Sequence, residues 1–153
     1  MQQEWHRGEF SISTDQARLD LEAIHRYLNE DSYWAQGRPR AVLEKAVRNS
    51  LSFGVFHGAS QIGFARLVTD YATFAYLADV FILPEFRGQG LSKWLMSVIG
   101  EHPELQGLRR WLLATLDAHG LYRKFGFVPI DRPELFMQKF VDRPDYSASP
   151  LSL

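Results

Sequence analysis

One stretch constrains the fold more than any other part of the chain: Val80–Trp94, which reads Val-Phe-Ile-Leu-Pro-Glu-Phe-Arg-Gly-Gln-Gly-Leu-Ser-Lys-Trp. An apolar strand runs into Pro84, then into a loop with two close-set glycines, Gly88 and Gly90, then into a helix. Leu91, Trp94, Leu95, Val98 and Ile99 recur at helical spacing and mark one apolar face of that helix. Glycines at the mouth of a helix let backbone approach a ligand, and the first N–H groups there, lacking carbonyl partners, attract anions. The stretch therefore predicts a strand–loop–helix cradle for phosphate groups. It lacks the third glycine of a dinucleotide fingerprint and the Gly-Lys-Ser/Thr of a P-loop.

The rest of the chain supplies elements for a single domain spanning residues 1–153, with 142–153 read as a loose tail because of Pro144, Pro150 and three serines. Phe10–Ser13 alternates as a first strand. Thr14 or Asp15 caps a helix with Ala17, Leu21, Ile24 and Leu28 on one face, and Pro39 opens a second helix with Val42, Leu43, Ala46 and Val47 inward. Leu51–His57 and Gln61–Thr69 flank a hairpin signal at Gly58, and Phe74–Leu83 completes that meander. After the helix that follows Gly90, Arg110–Thr115 reads as a buried strand. Asp117 caps a short helix stopped by Gly126, and Phe127–Ile130 and Leu135–Val141 read as closing strands.

Composition removes several function classes. With 17 basic and 18 acidic side chains, there is no electrostatic case for nucleic acid or an anionic membrane. The chain has no cysteine, so any acyl transfer avoids an acyl-cysteine. The histidines show no spacing suggestive of a metal site, and none is expected. No apolar run approaches a membrane span and the N-terminal residues lack a signal-peptide core, so a cytoplasmic location is the default expectation.

Arg87-Gly88-Gln89-Gly90-Leu91-Ser92 resembles the acyl-coenzyme-A loop of the GCN5-related N-acetyltransferases (GNAT), whose pattern is Gln/Arg-x-x-Gly-x-Gly/Ala. Arg87 and Gly90 match it, and Ser92 stands where Gly or Ala is usual. The order β-α-α-β-β-β-α-β-α-β-β is also that of the GNAT fold, so the resemblance covers nearly the whole chain, with its specific motifs within Tyr76–Phe127. It implies an α+β fold with a mixed sheet, whose central parallel strands splay to admit the pantetheine arm of acetyl-CoA. By the same resemblance, backbone of Val80, Phe81 and Ile82 pairs with the pantetheine amides. Gly88, Gln89, Gly90, Leu91, Ser92 and Lys93 offer N–H groups to the pyrophosphate, with Arg87 at the loop entrance.

Ala118–Phe127 resembles the family pattern Ala-x-x-x-Tyr-x-x-x-Gly-Phe, which places Tyr122 where the family has the tyrosine that protonates the departing thiolate. A phenol with pKa about 10 remains a donor at neutral pH. The plainer reading is an amphipathic Tyr packed beside Leu121 and Phe125. Thr115 departs from the Asn common seven residues earlier. Acceptance of the acetyl group needs a neutral amine, and freeing one with a lysine-like pKa costs roughly 4–5 kcal/mol at pH 7. Asp79 interrupts an apolar strand, which is costly unless it is paired, hydrated or used. Tyr76–Ile82 resembles the Tyr-Leu-Glu-Asp-Phe-Phe-Val segment of diamine and polyamine acetyltransferases, but Ala78 replaces the proposed base. Strand alternation sends 78 and 79 to opposite faces, leaving Asp79 to hold a water, bind the amine or pair with Arg66.

Tyr33 and Trp34, in the segment that walls the acceptor pocket in the family, and Asp70 and Tyr71, in the turn before the strand, are further candidates for substrate contact. The expected activity is acetyl transfer from acetyl-CoA to a primary amine, a small molecule rather than a protein, by direct attack in a ternary complex. The alternative is a non-catalytic acyl-CoA-binding or interaction module of the same fold. A homodimer is among the arrangements the resemblance allows.

Overall fold

The computed structural model describes residues 2–143. The expected tail thus lies outside the described residues from position 144 onward. The chain runs β1 (Glu4–Arg7), β2 (Phe10–Ser13), α1 (Leu21–Glu30), α2 (Arg40–Arg48), β3 (Leu51–His57), β4 (Ser60–Thr69), β5 (Phe74–Ile82), α3 (Leu91–Glu101), β6 (Arg110–Leu112) and α4 (His119–Arg123). All six strands form one sheet in sequence order, antiparallel throughout except for the parallel pair β5–β6. The fold is α+β, as the order of elements predicts.

Two apolar cores flank this sheet. Leu91, Leu95, Val98 and Ile99 of α3 pack with Ile12, Phe53, Val55, Leu67 and Leu77. Ile24 and Leu28 of α1 and Leu43 and Val47 of α2 pack with Phe64 and Phe81. The first helix starts later than its sequence suggests. The Asp15 carboxylate caps only a short 3-10 turn, Gln16–Arg18, and α1 begins where the Asp20 carboxylate accepts from Ala23 N. The strand β1, absent from the sequence reading, pairs along β2 with Trp5 opposite Ile12. Its polar sequence carries almost no alternation signal, so pairing rather than propensity makes it a strand.

At the other end the expectation fails. Neither Phe127–Ile130 nor Leu135–Val141 forms a strand, and β6 stops at Leu112. Pro129 and Pro133 remove ladder donors, and a 3-10 turn occupies Pro133–Leu135. Consequently Val128, Leu135, Val141 and Met137 stay exposed, the last at 98%.

Two irregularities in β5 prepare the functional site. Opposite β4, Phe81 pairs with Phe64 and Ala78 with Arg66, so Asp79 and Val80 together face one residue, Ala65. Asp79 takes a left-handed backbone conformation, φ +55°, at this bulge. Opposite β6, pairing is confined to Phe74, Ala75 and Tyr76 with Arg110, Trp111 and Leu112. Beyond Tyr76 the two parallel strands part, leaving the edge of β5 from Leu77 to Ile82 open toward β6.

Gly63 sits behind the end of β5, where a Cβ would lie 2.6 Å from Ile82 Cδ1 and 2.9 Å from the Phe81 carbonyl oxygen. Overpacking against backbone costs about 1–3 kcal/mol. Gly63→Ala is expected to lower the unfolding free energy by about that amount, read as an earlier midpoint in a urea titration.

Candidate active site

A cavity of about 180 Å³ opens where β5 and β6 diverge, with Tyr33, Trp34, Arg38, Arg66, Tyr76, Asp79, Asp117 and Tyr122 in its walls. The bulge explains why Asp79 belongs there. An uninterrupted strand would send residues 78 and 79 to opposite faces; the extra residue cancels that alternation, and Ala78 and Asp79 border the same space.

Asp79 is 4% exposed and fully engaged. Its Oδ2 accepts from Arg38 Nη1 at 2.8 Å and Arg66 Nε at 2.9 Å, and its Oδ1 accepts from Trp34 Nε1 at 3.0 Å. Burial alone would raise its pKa; the attraction of Arg38 and then of Arg66, with their hydrogen bonds, overrides burial and holds it below the ordinary carboxylate value. Of the uses open to Asp79, pairing with Arg66 is the one the structure displays. A carboxylate so depressed and so occupied is a poor proton acceptor. Arg38, absent from the sequence reading, is brought to the site by the α1–α2 connection that also carries Tyr33 and Trp34. Its only cue in the sequence was that a buried Asp requires cationic partners.

Tyr122 stands on the opposite wall. It is 8% exposed, edge-on to Phe127 at 5.9 Å, and it also lines a cavity between β6 and α4. Burial pushes its phenol up to about 12, with Tyr33 and Asp117 adding to the shift. Tyr33 Oη accepts from Leu116 N at 2.9 Å, fixing the first of those neighbours. The helix α4 is not capped by Asp117 as expected; Ala118 is its N-cap residue, and Thr115 Oγ1 accepts from Ala118 N. Asp117 is thereby left exposed at the cavity rim.

The glycine loop forms a second space of about 420 Å³, bordered by Ile82, Arg87, Gly88, Gly90, Leu91, Ser92 and Lys93. Gly88 and Gly90 have φ +83° and +79°, conformations open to glycine, so the loop needs both for its own shape. Gly90 is the N-cap of α3, with no side-chain cap and no acidic residue in the first turn. The first N–H groups of an 11-residue helix therefore face this space without a side-chain acceptor. Arg87 behaves differently from its expected place beside the phosphates. Its Nε donates to Ile82 O at 2.9 Å and its Nη2 to Tyr27 Oη at 3.0 Å, so it braces the loop against β5 and α1. Gln89 Nε2 likewise donates to Phe86 O. Phe81 buries its side chain in a stack on Tyr27, ring centroids 4.0 Å apart, leaving only its backbone to a ligand. Arg7 of β1, unforeseen in the sequence, reaches within 3.5 Å of Gly90 O.

Asp70 and Tyr71 do not join this site. The Asp70 carboxylate accepts from the N–H groups of Ala72, Thr73 and Phe74 and from Thr73 Oγ1, and these bonds hold its pKa far below the usual range. It closes the β4–β5 turn. Tyr71 lies in a separate hollow with Thr14, Ser52 and Glu104.

A gap between parallel strands, with an uncapped helix start at one end and a buried phenol at the other, defines an acyl-CoA-type transferase site. Comparison with known proteins agrees: residues 48–129 match the family model described as an acetyltransferase (GNAT) domain, and the chain belongs to that family. Its relatives are named as acetyltransferases, and the chain is an enzyme of that class. It is 50% identical to a GNAT-family protein from Xanthomonas campestris pv. campestris with a crystal structure, covering 89% of this chain and 96% of that one at a TM-score of 0.85. A Gibberella zeae protein named as an acetyltransferase is 37% identical over 124 residues, 69% of each chain. The fold is also that of an acetyltransferase from Clostridium acetobutylicum crystallised with acetyl-CoA: 13% identity, TM-score 0.64, 92% of this chain and 96% of that one.

Removing one partner from a buried ion cluster costs about 3–5 kcal/mol, because the remaining charges are stranded. Asp79→Ala is expected to destabilise the protein by that order in denaturant unfolding at pH 7. Because the folded pKa of Asp79 is depressed, its contribution is present above the ordinary carboxylate range and is lost as pH falls through the lower folded value. The variant's stability should accordingly converge on that of the wild type in acid.

Proposed function

We propose that the protein transfers the acetyl group of acetyl-CoA to a primary amine of a small molecule, by direct attack while both substrates are bound. The observation that carries this reading is the edge of β5 between Leu77 and Ile82, unpaired toward β6 among the described residues, which joins the uncapped start of α3 to the Tyr122 wall.

Each part supplies a distinct service. N–H groups from Gly88 to Lys93 suit the pyrophosphate, and Arg87 acts from behind by bracing the loop. Backbone of Val80, Phe81 and Ile82 suits the pantetheine amides in the manner of an added strand. The amine nitrogen attacks the thioester carbonyl, the carbon–sulfur bond breaks, and the Tyr122 hydroxyl gives its proton to the departing thiolate. A phenol held near pKa 12 is fully protonated across the physiological range, so the proton this step needs is in place. The acceptor arrives as an ammonium and loses its proton to water beside Asp117, the carboxylate at this rim that has no ion-pair partner among the described residues. Asp79 serves as a positioning residue for Arg38 and Arg66. The cavity of about 180 Å³ falls well below the roughly 300–1,000 Å³ of drug-sized sites, which favours a small acceptor.

The test is release of free thiol from acetyl-CoA in the presence of amines. Tyr122→Phe should lower kcat about 10²-fold, the low end for acid–base assistance, because a thiolate is already a fair leaving group. KM for acetyl-CoA should be unchanged. Weaker cofactor binding with intact turnover would instead make Tyr122 a packing residue, and indifference to acyl-CoA would remove the reading altogether.

A further inference from the structure

The acceptor cavity is electrically lopsided. On the β4 side of β5, one carboxylate, Asp79, is shared between two guanidinium groups, Arg38 and Arg66. Among the described residues Arg66 makes no other ion pair: its Nε serves Asp79, its Nη1 donates to Ser50 Oγ at 3.2 Å, and its Nη2 makes no hydrogen bond. Its side chain is only 13% exposed, so its charge is poorly compensated by solvent. Tyr76 borders the same cavity with a hydroxyl that also makes no hydrogen bond among the described residues. In the β6–α4 connection, lining the same cavity, stands the carboxylate of Asp117, close enough to Tyr122 to act on its phenol.

From this arrangement we infer that the acceptor is an amino carboxylate, whose anionic end is received by Arg66 and Tyr76 while its amine lies between Asp117 and Tyr122. The inference rests on the acetyltransferase reading above and narrows it. A half-buried guanidinium with donors to spare is completed by a planar carboxylate, through charge-assisted hydrogen bonds that a neutral group does not match. A diamine or polyamine would bring a second ammonium against that same guanidinium. Asp79, by accepting from Arg66 Nε, holds that guanidinium in place while its Nη2 edge keeps donors to spare among the described residues.

The experiment compares three sets of small amines as acceptors for the full chain: α-, β- and γ-amino carboxylates, their primary amides, and diamines of matching length. Thiol release from acetyl-CoA gives kcat/KM, and calorimetry gives acetyl-CoA binding separately. The expected result is a preference of about ten-fold or more for the best carboxylate over its amide, as a charge-assisted bond to Arg predicts. Diamines should be poorer still. In Arg66→Gln the carboxylate and its amide should become equal within about three-fold, through a rise in KM for the carboxylate, and Arg66→Lys should restore part of the difference. Asp79 keeps Arg38 in the Gln variant. If that variant does not fold, the wild-type ratio decides. Amides or diamines preferred over carboxylates, or a carboxylate preference untouched by Arg66→Gln, would overturn the inference while leaving the acetyltransferase reading in place. Normal acetyl-CoA binding with turnover of no amino carboxylate would do the same. Failure to bind acetyl-CoA would remove both.

Discussion

Parallel strands that begin to pair would ordinarily continue, and the functional geometry depends on β5 and β6 ceasing to do so after Tyr76. The backbone of β5 is turned aside by the bulge at Asp79, where one residue too many faces β4 and a non-glycine residue sits at positive φ. Such a conformation costs on the order of 1 kcal/mol or more and survives only where its surroundings insist on it. Here the insistence is ionic. Arg66 from β4 and Arg38 and Trp34 from the α1–α2 connection each donate to the Asp79 carboxylate within 3.0 Å, so two separate segments are tied to the strand at the point where it bends. An open seam in a sheet is thereby made a fixed feature and not a failure of pairing.

The two ends of that seam draw on different physics. At α3, dipole and unpartnered amides do the work, and side chains matter by staying out of the way: Gly90 has none, and Arg87 turns backward to Ile82 and Tyr27. At Tyr122 the opposite holds, since there one particular side chain and its hydroxyl are what the surroundings fix. Burial first, with Tyr33 and Asp117 beside it, keeps that hydroxyl protonated.

Much of this was legible before any coordinates. The strand–glycine–helix junction and the meander before it announce themselves through periodicity and turn chemistry, which are local, and the tyrosine after them through the family resemblance. What escaped was non-local. Alternation assigns Ala78 and Asp79 to opposite faces, and only a register shift against β4 reverses that. Glu4–Arg7 has no apolar rhythm and becomes a strand by leaning on β2. Asp70 looks like a free acid in a list of residues, yet its turn consumes it. Arg38 lies 41 positions from Asp79, and nothing in the intervening sequence declares that they meet. In the opposite direction, Leu135–Val141 has the look of a strand but finds no ladder among the described residues, leaving its apolar side chains in water.

The bond from the Trp34 indole to Asp79 carries a consequence of a different kind. An indole whose N–H is held by a carboxylate, and whose ring is edge-on to Tyr33 at 5.1 Å, is an optical probe built into the cavity wall. Of the chain's four tryptophans it is the one in this cavity wall, so its share of the emission is the part tied to the polarity and order of whatever fills the pocket, before any bond is made or broken.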